Sequence, residues 1–277
     1  MHIREVTLQT SDGLTLRGTH YDASSDSVLL IASALGVKRR YYDAFAQRIA
    51  ESGRSVVTFD YRGIGDSRPK SLRSFDGTME EWGRLDITAA IEWVSSELRP
   101  KTLAYVGHSC GGQLLGLAPN APRVDQIIFT SAQSGYWRHW PGSSKYRLGA
   151  LWVTMPLVAS VIGYFPSKVL GLGSEDLPRR VAVEWARWGR HPEYIFGYHD
   201  PAPYARITAP LLGWSFVDDT YAPKAAVDAL LAHYSSADIT RRHTDAPGIG
   251  HFGFFRRGKG ERLWDEAVTW LAARTVR

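Results

Sequence analysis

Short apolar runs alternate with helical patterns along most of this chain, and that alternation constrains the fold more than any other feature. The runs Val28–Ala32, Ser55–Asp60 and Thr102–Gly107 are largely apolar, as strands buried on both faces are. Amphipathic segments of helical length separate them, at Tyr42–Ser52 and Glu80–Leu98. Strands linked through helices lie parallel, so the pattern predicts an α/β fold with a mostly parallel central sheet flanked by helices.

The alternation stops over residues 133–205, which are rich in Trp, Pro and Gly and show no regular strand–helix period. Four further elements then restore it, at Pro210–Phe216, Ala222–Tyr234, Asp238–His243 and Glu261–Ala273. We therefore predict one sheet domain, formed by residues 1–132 and 206–277. We expect residues 133–205 to form a helical cap that is inserted between two of its strands.

An uncharged stretch of 20 residues, Leu148–Ser167, lies inside this insertion. Its length would just span a bilayer. However, Pro156, Pro166 and two glycines disfavour a single continuous helix. We expect a pair of buried or substrate-facing cap helices here, and no membrane span.

Composition excludes several other classes of protein. A single Cys allows no intramolecular disulfide and no cysteine-based zinc site. The start of the chain, Met1–Val6, has no apolar signal core and is typical of a strand, so we expect a cytoplasmic enzyme. The net charge of +5 is scattered along the chain, which is typical of a solvated face and predicts no nucleic-acid partner.

The residues Gly107–Gly111, with the sequence Gly-His-Ser-Cys-Gly, carry the clearest chemical signal. They follow the apolar run Leu103–Val106 and precede a helical segment, Gly112–Leu115. A serine on a sharp strand-to-helix turn is raised above the sheet edge, and the glycines let strand and helix approach closely. This context predicts Ser109 as a nucleophile, with the backbone N–H of Cys110 as one donor to the oxyanion.

A serine hydroxyl needs a base to take its proton, and in this arrangement the base follows the acid along the chain. Three histidines, His233, His243 and His251, follow the strand at Pro210–Phe216. His251 lies in a glycine-rich loop between the last strand and the last helix, where it can reach over the sheet edge. His233 falls on a helix and His243 at a strand end, so we predict His251 as the base and the other two as surface or structural residues.

Two adjacent carboxylates, Asp218 and Asp219, follow the strand Pro210–Phe216 and precede the helix that begins near Pro223. Neighbouring side chains in an extended turn point in different directions, so only one of the two meets the imidazole. We favour Asp219 as the acid, which orients the histidine and stabilises the imidazolium. Asp218 is the alternative acid, and its other role would be to cap the turn.

The second oxyanion donor should come from the loop after Val28–Ala32. We predict the backbone N–H of Ala34, with that of Leu35 as the next choice. Cys110 also offers a thiol as a competing nucleophile. Its side chain is expected to point into the helix after Ser109, where it acts as a small apolar packing residue.

These motifs together resemble the α/β-hydrolase superfamily along almost the whole chain, with residues 133–205 in the position of its cap. The loop Phe59–Ser67 is similar to the D-x-R-G-x-G-x-S loop of that family, in which Arg and Gly are architectural. A group of bacterial predicted α/β-hydrolases without an assigned substrate shares the segments Tyr61–Gly65, Gly135–Arg138 and Gly250–Phe255. The family's usual His-Gly pair before the oxyanion loop is Ala32-Ser33 here, so the hydrogen bonding of that loop must differ.

The motifs and the resemblance predict a serine hydrolase that cleaves a carboxylic ester or lactone through an acyl-enzyme, without metal or organic cofactor. Residues 133–209 hold five of the ten Trp and have a local charge of +4 from nine Lys and Arg against five Asp and Glu. The clustered Trp and the uncharged stretch favour a small, largely apolar or aromatic substrate. The local positive charge suits an anionic substrate. We assign contact with the substrate to Leu35, His108, Trp137, Trp152 and Trp185.

Three other functions stay open at this stage. An acyltransferase would use the same triad, and only product analysis separates it from a hydrolase. An amide hydrolase of the iminopeptidase-like branch needs an acidic site for a free amino group, which the basic balance disfavours. A non-catalytic ligand-binding member of the fold is the third alternative. The oligomeric state is open as well, a homodimer included.

Overall fold

The computed structural model describes residues 1–170, 173–245 and 247–273. Eight strands form one sheet in the order β1-β2-β4-β3-β5-β6-β9-β10, and a small hairpin pairs β7 with β8. The strands are β1 (His2–Gln9), β2 (Thr15–Asp22), β3 (Ser27–Ala32), β4 (Ser55–Phe59), β5 (Thr102–His108), β6 (Gln126–Thr130), β7 (Tyr164–Phe165), β8 (Leu177–Pro178), β9 (Leu211–Phe216) and β10 (Ile239–Thr244).

The large sheet is parallel from β4 to β10, and only β2 pairs antiparallel, with β1 on one side and β4 on the other. This confirms the predicted fold class. Because β5, β9 and β10 are parallel, their carboxyl ends lie at the same edge of the sheet. The turns that follow these three strands carry Ser109, Asp219 and His251.

Helices cover both faces of the sheet. They are α1 (Asp43–Glu51), α2 (Met79–Glu81), α3 (Thr88–Trp93), α4 (Cys110–Leu114), α5 (Ser144–Ile162), α6 (Arg179–Arg190), α7 (Ala202–Ala205), α8 (Lys224–Leu231) and α9 (Glu261–Ala273). The helix predicted at Glu80–Leu98 is continuous, but π-helical turns at Trp82–Ile87 and Val94–Leu98 flank α3.

Two apolar cores explain why the central strands are apolar without alternation. Along β3 and β5, Leu30 and Tyr105 pack into one core, while Leu29, Ile31 and Val106 pack into the core on the opposite face. Successive side chains of a strand point to opposite faces of the sheet, and both faces are covered by helices. All of these residues are completely buried.

The segment between β6 and β9, residues 131–210, contains α5, α6 and α7, and we call it the β6–β9 segment. The uncharged stretch in it forms one long helix, α5, so the expectation of a helix pair within Leu148–Ser167 is wrong. Pro156 removes a single backbone hydrogen bond, but Trp152 and Ala159 on either side of it are buried on one face and keep the helix continuous. The helix ends at Gly163, which adopts a left-handed φ of 88°.

Helix α5 packs against α6 along its buried face. Its other face is apolar but exposed, with Leu157 and Val161 among the most exposed large apolar residues. Within the residues that the structure describes, no helix combines the length and the apolarity that crossing a membrane requires.

Candidate active site

Ser109 sits on a tight turn between β5 and α4. Its φ of 52° and ψ of −114° are rare for a residue with a side chain, and they mark a strained backbone. The surrounding backbones are very close: a Cβ on Gly111 would lie 2.3 Å from the Ala32 carbonyl oxygen, and one on Gly107 would lie 2.6 Å from the Gly112 nitrogen. Glycine is therefore required on both sides of Ser109, as the sequence motif predicts.

Asp219 and His251 meet directly. The Nδ1 atom of His251 lies 2.9 Å from Oδ2 of Asp219. The carboxylate also accepts hydrogen bonds of 2.9 Å from the backbone N–H groups of Tyr221 and Ala222. Burial works to raise the pKa of Asp219, but the charge and hydrogen bond of His251 outweigh it and hold that pKa below its ordinary value. The carboxylate is thus fixed in its ionised form beside the imidazole.

Asp218 has a different task from its neighbour. Its carboxylate accepts hydrogen bonds from the backbone N–H groups of Gly248, at 2.6 Å, and Gly250, at 2.9 Å. These two glycines have positive φ angles and form the loop that presents His251. The structure therefore places Asp219 on the imidazole and Asp218 on the backbone of the loop that carries it.

The Ser109 hydroxyl donates to Oε1 of Gln133 at 3.4 Å. Gln133 in turn donates to the backbone carbonyl of Tyr221 at 3.2 Å. No hydrogen bond links Ser109 with His251 in the described part of the chain. Such catalytic contacts are often long without a bound substrate, so this geometry is compatible with a base that engages the serine upon binding.

The oxyanion loop differs from the sequence-based expectation. The backbone N–H of Ala34 donates to the hydroxyl of Tyr42 at 2.8 Å, so it is occupied and the prediction of Ala34 as a donor is wrong. For the N–H groups of Leu35 and Cys110, no acceptor is present among the described residues. Leu35 also lines the cavity at Ser109. The second-choice residue of the sequence analysis therefore fits the donor position.

A chain of buried hydrogen bonds connects Ala34, in the loop after β3, to the backbone of His251. Ala34 donates to Tyr42, and the Tyr42 hydroxyl lies 2.8 Å from Nδ1 of His108. On the other side of the ring, Nε2 of His108 lies 2.9 Å from the carbonyl oxygen of His251, to which it must donate. Burial lowers the pKa of His108 to about 3, so the ring is neutral and can accept from Tyr42.

Cys110 points away from the cavity. Its thiol is 1% exposed and donates to the Ser33 carbonyl oxygen at 3.4 Å. Burial raises the pKa of the thiol above its ordinary value, which keeps it protonated and unreactive. The side chain is therefore a packing group, as the sequence analysis expects.

One cavity of about 770 Å³ brings Ser109, Asp219 and His251 together. Of the residues predicted to contact a substrate, Leu35, Trp152 and Trp185 line it. His108 does not, because it is fully buried beneath His251. Trp137 also lies outside the cavity wall, where its ring packs on Gly149 and under the Arg138 guanidinium, 5.0 Å from its centroid.

The cavity wall contains functional candidates that the sequence analysis missed. They are Gln133, Trp140, Arg147, Tyr221, Lys224 and His243. His243 was assigned a surface or structural role, and its Nδ1 atom does bond the Ser215 hydroxyl at 2.7 Å. None of these residues lies in a recognisable motif. Only contacts between distant parts of the chain bring them to the wall. Within the described residues, no group of three His, Cys, Asp or Glu side chains could hold a metal ion.

Comparisons with known proteins identify the family. Residues 23–169 match the family model described as serine aminopeptidase, S33. An uncharacterised protein of Mycobacterium tuberculosis is 30% identical over 185 residues, which are 63% of this chain and 62% of that protein. The quorum-quenching protein AidA of Acinetobacter baumannii is 33% identical over 275 residues, which cover 88% of this chain and 85% of that protein.

Solved structures share the architecture at low sequence identity. An esterase of Pyrococcus furiosus superposes with a TM-score of 0.64 at 15% identity, over 99% of this chain and 94% of that one. At this identity the likeness shows the fold alone.

Proposed function

Because the chain belongs to the serine aminopeptidase S33 family of α/β-hydrolases, we propose that it is a serine hydrolase acting on a carboxylic ester or lactone. One observation carries the proposal. Ser109, on a turn whose φ is positive, shares a cavity with an Asp219–His251 pair that is already hydrogen bonded. A nucleophile, a base and the group that orients the base are therefore within one small space.

The reaction proceeds in two halves. The Ser109 oxygen attacks the ester carbon while His251 takes the hydroxyl proton, and the alcohol then leaves with that proton. Water attacks the acyl-enzyme with His251 again as base, and Ser109 is released with the carboxylic acid as product. The ionised Asp219 holds the imidazole orientation through Nδ1 and stabilises its charged form in both halves.

The negative charge that develops on the ester oxygen needs donors in place before reaction. The free backbone N–H groups of Cys110 and Leu35 are suited to this, and the strained turn at Ser109 keeps the first of them beside the nucleophile. Tyr42 supports this loop, because its hydroxyl accepts the N–H of Ala34.

Residues 133–205 act as a cap in this proposal. Helix α5 gives the cavity an apolar wall, and Trp185 of α6 adds an aromatic surface whose centroid lies 4.5 Å from that of Trp152. A wall of this kind favours a small, largely apolar or aromatic acyl or alcohol group.

Amide hydrolysis is the second candidate, since the description of the matched family names an aminopeptidase. An aminopeptidase must bind a free ammonium group. Asp219 is the only carboxylate in the described lining of the cavity, and His251 already occupies it. An ester is therefore the better match.

A fluorophosphonate probe tests the proposed nucleophile. We expect the folded protein to be labelled at Ser109, and Ser109→Ala to lose both the label and activity on p-nitrophenyl esters. Labelling that persists in Ser109→Ala would show that the nucleophile is a different residue. Esters of graded chain length, lactones and p-nitroanilides in the same assay separate the bond classes, and faster cleavage of the anilides would favour the aminopeptidase.

A further inference from the structure

The cavity beside Ser109 contains a positive charge that no described residue of its wall balances. Arg147 lies in the first turn of α5 and is part of the cavity lining. It is exposed to solvent on its other side. The guanidinium makes no ion pair and no hydrogen bond with any residue that the structure describes. All five N–H donors of this guanidinium are therefore available to an anion that enters the cavity.

A second cation lines the same cavity. Lys224 begins α8, and its Nζ lies 2.7 Å from Asp228. Asp228 is shared, however, because Arg241 also pairs with it at 2.8 Å. The three side chains together therefore retain a net positive charge. This charge adds to the field of Arg147 across the cavity.

The remainder of the lining is unsuited to a cation. Asp219 is the single carboxylate in the described wall, and three donors, from His251, Tyr221 and Ala222, already engage it. From Arg147, the wall continues along α5 with the apolar residues Leu148, Leu151, Trp152 and Met155. The described cavity wall thus combines an apolar surface along α5 with cations from α5 and α8.

Resting on the serine hydrolase function proposed above, we infer that the substrate is a carboxylic ester bearing a carboxylate at the end of an apolar chain. Arg147 is then the residue that determines specificity, since its planar guanidinium can bind that carboxylate through two parallel hydrogen bonds. The apolar chain between the carboxylate and the ester lies along the α5 wall. An ammonium at the same position, as in an aminopeptidase substrate, would be repelled.

Matched pairs of esters test this inference. Mono-p-nitrophenyl esters of dicarboxylic acids, from adipic to sebacic acid, carry the anion in the acyl chain, and their methyl esters are the neutral partners. A second pair carries the carboxylate in the alcohol, as hexanoyl esters of 4-hydroxyphenylacetic acid and of its methyl ester. The quantity measured is the ratio of kcat/KM for the anionic ester to that for the neutral ester. This ratio does not depend on the fraction of folded enzyme.

We expect the wild-type ratio to exceed one in at least one series, and to fall as salt is added. Arg147→Met should lower that ratio about two- to fivefold, the effect of one ion pair at a solvent-exposed site. Arg147→Lys keeps the charge and should retain part of the preference. Arg138→Met is the matched control, because Arg138 lies in the same segment but outside the cavity wall, and it should leave the ratio unchanged.

The outcomes separate the two proposals. Hydrolysis of the neutral esters with no preference for the anion, or a preference that Arg147→Met leaves intact, would overturn the inference while the hydrolase function stands. Hydrolysis of neither ester by protein whose Ser109 accepts the fluorophosphonate probe would also overturn it. If Ser109 accepts no probe and no ester is cleaved, the proposed function itself fails.

Discussion

The sheet turns that carry the reactive residues and the β6–β9 segment that covers them differ in how they are held. Asp218, Asp219 and His108 all form buried or backbone-directed hydrogen bonds that fix the positions of His251 and its loop. The segment, in contrast, exposes apolar side chains on α5, including Leu157 at 63% and Val161 at 88%. The proposed catalytic residues are thus positioned by polar contacts, while α5 presents a largely apolar wall to the cavity.

This difference separates two kinds of function. Changes in the sheet turns should alter the rate for every substrate, because they disturb the geometry of the reacting atoms. Changes in α5 and α6 of the β6–β9 segment should alter the ranking of substrates, because these helices contribute to the cavity wall.

Asp219→Asn should lower kcat about 10³- to 10⁴-fold for every ester, because the amide no longer holds His251 in its productive form. Steady-state kinetics on short and long p-nitrophenyl esters would show the loss as equal for both. Asp218→Asn is the matched control at the adjacent position. Since Asp218 bonds only the loop backbone, its loss should be far smaller, and a greater loss in Asp218→Asn would assign the acid to Asp218 instead.

Tyr42→Phe should lower the free energy of unfolding by about 1–3 kcal/mol, because it leaves the buried N–H of Ala34 and a nitrogen of His108 without partners. Urea unfolding measures the change. Tyr146→Phe makes the same substitution on α5 at a side chain that is 64% exposed, and there we expect a change within about 0.5 kcal/mol. Equal effects at the two positions would remove the contrast between the turns and the segment.

Trp185→Leu should reduce the preference for aromatic over acetyl esters about fivefold, because it removes an aromatic surface from the cavity wall. The ratio of kcat/KM values for p-nitrophenyl benzoate and acetate reports this change. Trp137→Leu removes a Trp of the same segment that lies outside the wall, so its ratio should match the wild type. A uniform loss of rate on both esters in Trp185→Leu would show that the segment also positions the reacting groups.

The ionised carboxylate of Asp219 should also make a small contribution to the free energy of unfolding, which acid removes. The native pKa of Asp219 is held below the ordinary value of 3.8, so its ionised form stabilises the fold above that pH, and this contribution is lost as the pH falls through the native pKa. The gap in unfolding free energy between wild type and Asp219→Asn should therefore narrow below pH 3.8. A gap that stays constant across this range would show that the carboxylate's charge does not stabilise the native state.

Most of the sheet could be predicted from the sequence, because the pattern that indicates each strand or helix lies in neighbouring residues. The helix Glu261–Ala273 has the predicted bounds. The central strands are apolar because both faces of the sheet are covered by helices. Ser109 and His251 could be named because glycines frame both. In each case a few neighbouring residues determine the conformation.

The contacts that could not be predicted join residues far apart in the chain. Tyr42 reaches His108 across 66 positions and displaces Ala34 as the expected oxyanion donor. Arg147 lines the cavity from the first turn of α5, and this helix runs without a break through Pro156, against the preference of that residue. Burial of Trp152 and Ala159 outweighs the tendency of Pro156 to break a helix. The sequence pattern does not show which of these two effects is larger.

The only cysteine of the chain lies directly after Ser109, with its thiol behind the cavity and 1% exposed. A thiol reagent can reach it only when the turn between β5 and α4 opens. The rate of thiol modification in the native protein therefore measures how often this strained turn departs from its reactive geometry. A molecule that binds only the closed turn should slow that reaction. The rate of modification of Cys110 would thus report local opening of the turn without any added label.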